Sequence, residues 1–173
     1  MIRDDAVIGP AGVADLGRVA EIFAHYVTHS VVTFETEPPT VADWQARLDT
    51  LASRGLPFLV ARAGGEVAGY GYASPWRPKP AYRHTVEDTV YLAPGATGRG
   101  LGRNLLAELL ARAGQAGARQ MVAVIADAGV DSEASVALHR ALGFAHAGRL
   151  TAVGHKHGRW IDTVLMQRGL APD

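Results

Sequence analysis

The run VEDTVYL (residues 86–92), followed after a turn at Pro94 by GATGRGLGRNLLAELL (residues 95–110), decides how this chain folds. The first part alternates β-branched and polar residues and reads as a strand. A glycine-rich turn carrying arginines follows, and a helix opens directly behind it. That order makes an anion cradle: the unpaired amides at a helix start and the positive end of its dipole can hold a pyrophosphate. Gly98, Gly100 and Gly102 fit this reading, because a Cβ would hinder the approach of backbone to phosphate oxygens. No Lys-Ser/Thr pair follows the glycines, as a P-loop would require, and the strand ahead of them is acidic.

The surroundings of this segment suit one compact α/β domain over residues 1–173. With 48% hydrophobic residues the chain can build a full core. Lys+Arg 17 against Asp+Glu 17 leaves no net charge, which argues against broad capture of nucleic acid or anionic membrane. The absence of cysteine excludes disulfides, thiol nucleophiles and cysteine metal sites. No apolar run reaches a bilayer-spanning length and MIRDDAVIGP has no signal core, so the expectation is a cytoplasmic protein.

Elements follow in the order β-α-α-β-β-β-α-β-α-β-β. Residues 6–10 read as a short strand. Leu16, Val19, Ile22, Phe23 and Tyr26 recur at helical spacing over residues 14–29. A second helix is expected over 40–53, with Thr40 and Asp43 in capping-box positions and Gly55 as its stop. Strands over 58–62 and 67–74 flank a Gly64-Gly65 turn, as a hairpin does. Residues 85–92 and 100–115 are the strand and helix of the cradle. The apolar run 120–125 suits a strand buried on both faces. A helix over 131–142 stops at Gly143, and two last strands occupy 145–153 and 160–168. This pattern implies a mixed sheet.

The element order, the TGRGLG turn (97–102) and SEASVALHRALGF (132–144) resemble the GNAT N-acetyltransferase superfamily over nearly the whole chain. Within it, TFETEPPT (33–40), PWRPKPAYRHTVEDTVY (75–91), SVALHRALGF (135–144) and VGHKHGRWID (153–162) resemble the phosphinothricin N-acetyltransferase branch. The resemblance implies a GNAT-like domain of about seven strands and four helices. It implies acetyl-CoA as co-substrate, no metal, and a small amino-acid-like acceptor such as phosphinothricin, methionine sulfoximine or methionine sulfone. It also implies a homodimer. Thr97 and Ser132 depart from the residues usual at their positions in the superfamily and the branch. The alternatives are acetylation of another small amine or a protein N-terminus, and a silent acyl-CoA-binding module.

Roles follow residue by residue. Acetyl transfer needs the acceptor's amine deprotonated, and Glu87 is the candidate base, acting through water. Its plain structural reading is an ion pair with a cation such as Arg83. Strand alternation sends neighbouring Asp88 to the opposite face. His139 stands where many of the superfamily carry a tyrosine that protonates the thiolate; a packing histidine bonded to a carbonyl is the equal alternative. Main-chain amides at Val90, Tyr91 and Leu92 suit the pantetheine arm and the thioester carbonyl. Thr97, Gly98, Arg99, Gly100, Leu101, Gly102 and Arg103 form the pyrophosphate cradle, with Arg99 and Arg103 adding charge. Ser132 and Ser135 cap their helix or touch the coenzyme arm.

Trp76, Arg77, Lys79, Tyr82 and Arg83 lie on a proline-stiffened loop, and Arg77 can grip a carboxylate in a two-point fork. They point to an anionic acceptor, with Phe34 as an aromatic wall and Glu35 as a carboxylate beside it. His155 and His157 invite a metal reading, but no third ligand is placed to complete it. Lys156, His157 and Trp160 are expected instead to close the pocket of a neighbouring subunit in a twofold dimer.

Overall fold

The computed structural model describes residues 6–170. Seven strands form one mixed sheet in the order β1-β2-β3-β4-β5-β7-β6. They are β1 Val7–Pro10, β2 Phe58–Ala63, β3 Glu66–Pro75, β4 Thr85–Leu92, β5 Gln120–Ala126, β6 Ala145–Lys156 and β7 Arg159–Gly169. Four helices accompany them: α1 Leu16–His29, α2 Val41–Ser53, α3 Leu101–Gln115 and α4 Val130–Ala141. This is the expected element order, with short 3₁₀ turns added at Val13–Asp15, Pro80–Tyr82 and Pro94–Ala96.

Local chemistry sets the boundaries. Thr40 caps α2 by accepting from the Asp43 amide at 3.1 Å, while the Asp43 carboxylate accepts from the Thr40 amide at 2.8 Å. Gly55 leaves that helix at φ +68°, a conformation that favours glycine. The β2–β3 hairpin turns at Gly64 and Gly65, both at positive φ.

Two apolar layers cover the two sides of the sheet. On one, Leu16, Val19, Ile22, Phe23 and Val27 of α1 and Trp44 and Leu51 of α2 pack on Phe58, Val60, Tyr70 and Tyr72. On the other, Leu105, Leu106 and Leu109 of α3 pack on Val86, Met121 and Met166. Burying each such leucine contributes about 1.5–3 kcal/mol. Truncating fully buried Leu105 to alanine is expected to cost about 2–5 kcal/mol.

β4 is where the layers matter for function. Tyr70 pairs with Tyr91, Tyr72 with Thr89 and Ser74 with Glu87, so Glu87, Thr89 and Tyr91 share the α1/α2 side with the tyrosines of β3. Val86, Asp88 and Val90 point to the α3/α4 side, where Val86 and Val90 join the α3 core. β4 and β5, the parallel pair of this sheet, match only at Thr85–Gln120, Val86–Met121 and Glu87–Val122. Beyond Glu87, β4 continues against β3 as far as Leu92 and β5 against β7 as far as Ala126. The sheet therefore splits at Glu87, leaving one edge of β4 unpaired.

The apolar strand at 120–125 departs from its expected burial on both faces. Val124 is 38% exposed because it faces this opening.

Candidate active site

The split opens into a cavity of about 840 Å³ that reaches both sides of the sheet. Its wall includes Phe34, Glu35, Tyr72 and Glu87 from the α1/α2 side. From the other side come Asp88, His139, Ser132, Ser135, Thr97, Gly98, Gly100, Gly102 and Arg103. Most of the residues singled out in the sequence thus meet in one space.

At the cradle, Gly98 and Gly100 take left-handed φ values of +76° and +81°, and Gly100 is the N-cap of α3. Among the described residues nothing lies within 4 Å of a Cβ built on either, so conformation rather than crowding demands glycine there. Gly102 differs: it lies inside α3, in ordinary contact range of Leu92 and Leu138. Among the described residues no side chain caps α3. Its first intrahelical bond runs from the Asn104 amide to the Gly100 carbonyl at 3.1 Å, leaving the amides of Leu101, Gly102 and Arg103 for an anion. The Leu101 side chain is core, which leaves only its main chain available to the cradle. Arg99 is exposed and does not line the cavity.

Along the open edge, Ala93 donates to Ala68 of β3 at 2.8 Å. By alternation the main chains of Val90 and Leu92 face away from β3, toward the opening. Tyr26 donates its hydroxyl to the Leu92 carbonyl at 2.6 Å, tying that edge to α1. Tyr91 departs from the expected main-chain contact: its amide faces β3, and its ring lies in the α1/α2 layer against Tyr70 and Phe23.

Glu87 makes no ion pair among the described residues; Arg83 is exposed and does not hold it. Burial pushes the Glu87 carboxyl above the usual carboxylate range, and the charge of Asp88 adds to the effect. Asp88 lies on the other face, as alternation requires. There its Oδ2 sits 2.9 Å from His139 Nε2, with both side chains buried. His139 Nδ1 lies 2.7 Å from the Ser135 carbonyl. A carboxylate and a carbonyl both accept, so the ring between them must donate from both nitrogens, as an imidazolium does. Burial lowers its pKa, but the hydrogen bond and charge of Asp88, with the Ser135 carbonyl, outweigh burial and leave it raised. Asp88 Oδ1 is buried without a hydrogen-bond partner among the described residues.

Ser132 is not the N-cap, a position held by Gly129. Its hydroxyl donates to the Gly129 carbonyl at 2.7 Å and accepts from the Ala128 amide at 3.1 Å, stitching the turn into α4. Ser135 is half-buried in the cavity wall.

The expected acceptor loop behaves differently. Arg77, Tyr82 and Arg83 are exposed and contribute nothing to this chain's cavity wall, and Lys79 is likewise exposed. The prolines hold the loop out at the foot of β4, where Arg77 lies 5.1 Å over the Trp76 ring. Lys156, expected to help close the pocket of a neighbouring subunit, is bound within its own chain. It is 4% exposed and donates to the Thr33 carbonyl at 2.8 Å within its own chain. Burial lowers its pKa, and Glu35 opposes that. The Phe34 ring presses on Gly154, where a Cβ would fall 2.4 Å away, so β6 braces the aromatic wall. His157 sits in the β6–β7 turn at φ +50° rather than in a strand. Among the described residues no group of three or more His, Asp or Glu could hold a metal ion.

Sequence reasoning missed Arg47, which lines the cavity from α2, and the contact between Asp88 and His139. Arg47 had a readable signal: it interrupts the apolar stripe Trp44, Leu48, Leu51. The Asp88 contact spans 51 positions and had none.

A phosphate-type cradle at a helix start, an interrupted strand pair and a half-buried carboxylate without an ion-pair partner among the described residues together define a site for group transfer from a nucleotide-bearing donor. Comparison with known proteins gives the family. The model of the acetyltransferase (GNAT) family matches residues 16–144, and the chain belongs to that family as an acetyltransferase. It is 46% identical over 170 residues to the phosphinothricin N-acetyltransferase of Alcaligenes faecalis, spanning 98% of this chain and 81% of that one. It is 42% identical over 168 residues to the L-methionine sulfoximine/L-methionine sulfone acetyltransferase of Pseudomonas aeruginosa, spanning 96% of each. The crystal structure of the Sinorhizobium meliloti phosphinothricin acetyltransferase in complex with acetyl-CoA superposes with a TM-score of 0.91. It is 46% identical and covers 96% of this chain and 89% of that one.

Proposed function

We propose that this enzyme transfers the acetyl group of acetyl-CoA to the primary amine of a small amino-acid analogue of the phosphinothricin or methionine sulfoximine/sulfone type. The observation that carries this is the split of the sheet at Glu87, which joins a donor cradle on one side to an aromatic, carboxylate-bearing pocket on the other.

The residues present fit acetyl-CoA. The amides of Leu101, Gly102 and Arg103 receive the pyrophosphate, with the Arg103 guanidinium as counter-charge. The open main chain of Val90 and Leu92 pairs with the pantetheine arm and orients the thioester. Glu87, directly or through water, takes one proton from the incoming ammonium. The neutral amine attacks the acetyl carbonyl, the C–N bond forms and the C–S bond breaks. The nitrogen then sheds a second proton, and the departing thiolate gains one.

Both N–H groups of His139 are committed to Asp88 and Ser135, so His139 acts first as a fixed positive charge favouring the thiolate. The proposal extends to a homodimer formed through the β6–β7 hairpin. The edge strand β6 and the start of β7 leave Leu150, Val153 and Trp160 exposed at 46%, 53% and 71%. It extends also to action in the cytoplasm, with cell fractionation as the check. Sedimentation showing a fully active monomer would overturn the dimer.

The test of function is thiol release from acetyl-CoA with phosphinothricin, methionine sulfoximine, methionine sulfone and spermidine. Release dependent on the amino-acid analogues is expected. Spermidine as the best acceptor, or no acceptor-dependent release, contradicts the proposal.

A further inference from the structure

Arg47 stands apart from the other described cations. It lines the cavity on the α1/α2 side. Its Nη1 donates to the Tyr72 hydroxyl at 2.9 Å, and its guanidinium lies 4.8 Å from the Trp44 ring centroid and 5.5 Å from that of Tyr72. Two aromatic faces and one hydrogen bond fix the plane of the group. No carboxylate among the described residues pairs with it within ion-pair distance, although Asp15, Glu21, Glu108, Asp127 and Asp162 all hold arginines elsewhere. One of its five N–H donors is used; the others remain for a planar anion.

Sheet register places this group relative to the proposed base. Tyr72, which orients Arg47, pairs with Thr89, and the next same-face pair is Ser74 with Glu87. Tyr72 and Glu87 are therefore diagonal neighbours on one face, with Cβ atoms roughly 7 Å apart. A molecule lying along that face meets a guanidinium at one end and a carboxylate at the other. That is the charge pattern of a zwitterionic amino acid, whose carboxylate and ammonium stand on the same carbon. The remaining guanidinium in the cavity wall, Arg103, belongs to the donor cradle. The loop cations Arg77, Lys79 and Arg83 do not enter this chain's cavity wall.

We infer that Arg47 is the specificity-determining residue for the acceptor's negative end, gripping its carboxylate while Glu87 faces its amine. This rests on the acetyl-transfer reading above and names the group that makes the acceptor an acid.

The test compares methionine sulfone with its carboxamide, which keeps the amine and removes the negative charge, in wild type, Arg47→Met and Arg47→Lys. Wild type is expected to prefer the acid. In Arg47→Met, kcat/KM for the acid should fall about tenfold or more, chiefly through KM, as loss of a charged hydrogen-bonding partner implies. The carboxamide should change by less than about twofold, and the KM for acetyl-CoA should stay at its wild-type value. Arg47→Lys, which keeps charge without the planar fork, should fall between. An acid-to-amide ratio that is the same in all three proteins overturns the inference. So does an equal loss on both acceptors with a normal acetyl-CoA KM. If Arg47→Met does not fold, the ratio in Arg47→Lys decides on the same terms. A wild-type chain that acetylates neither compound sinks the acetyl-transfer reading itself, which separates the two failures.

Discussion

The two sides of β4 were built under different rules. On the α3 side the cradle depends on backbone: positive φ at Gly98 and Gly100, and free amides where α3 begins. On the α1/α2 side the pocket depends on side chains drawn from four separate segments: Phe34, Arg47, Tyr72 and Glu87. A backbone site is written locally, within six residues. A side-chain pocket is written by tertiary packing, and substitution of any one segment can retune it without touching the donor side. On the proposed function, that difference lets the acceptor side vary while the donor side stays fixed.

The largest effect separating the two sides should come from Glu87. In Glu87→Gln, turnover should fall about 100-fold or more, the range of general-base removal, with acetyl-CoA affinity unchanged by calorimetry. Equal turnover would remove Glu87 from the chemistry and leave the pocket side without a reactive group.

Gly100→Val should act on the other side alone. A β-branched residue at φ +81° costs about 1–2 kcal/mol and places bulk where the anion would sit. The Kd for acetyl-CoA should rise about tenfold, while KM for the acceptor, at saturating donor, stays within about twofold. An unchanged Kd would mean that the turn is merely a tight loop.

A smaller effect belongs to Lys156→Met. Losing the 2.8 Å bond to the Thr33 carbonyl orphans a buried acceptor, at about 1–3 kcal/mol, and loosens the segment carrying Phe34 and Glu35. Acceptor KM should rise a few-fold with no change in acetyl-CoA binding, a split that steady-state kinetics would show.

Legibility followed the same division. Helix and strand order was readable because caps, glycine stops and apolar periods lie within a few residues of what they control. Thr40 with Asp43 and the Gly64-Gly65 turn are examples. The turn geometry at Gly98 and Gly100, ahead of α3, was readable for the same reason. Arg77, Tyr82 and Arg83 suggested an acceptor site as cations and an aromatic ring on a proline-stiffened loop, and that loop lies outside this chain's cavity wall. Lys156 was read as closing a neighbouring subunit's pocket; its buried bond to the Thr33 carbonyl, with Glu35 opposing its desolvation, spans more than a hundred positions and left no local signal. Asp88 was assigned to the correct face and then set aside. Only the packing of α4 against β5, beside the split, brings His139 to it.

In the proposed mechanism one strand works from both faces, with Glu87 ionised on one and His139 protonated on the other. The pH dependence of kcat/KM in wild type and Asp88→Asn tests it most directly. In wild type the rate should rise as Glu87 deprotonates, at a pH above the ordinary carboxylate range, and fall as His139 loses its proton above the ordinary imidazole range. Removing the Asp88 charge takes away the partner that raises His139, so the alkaline limb should move to lower pH. The acid limb should follow by a lesser amount, because Asp88 also raises Glu87 through space. A profile in Asp88→Asn that overlays the wild type would contradict the account.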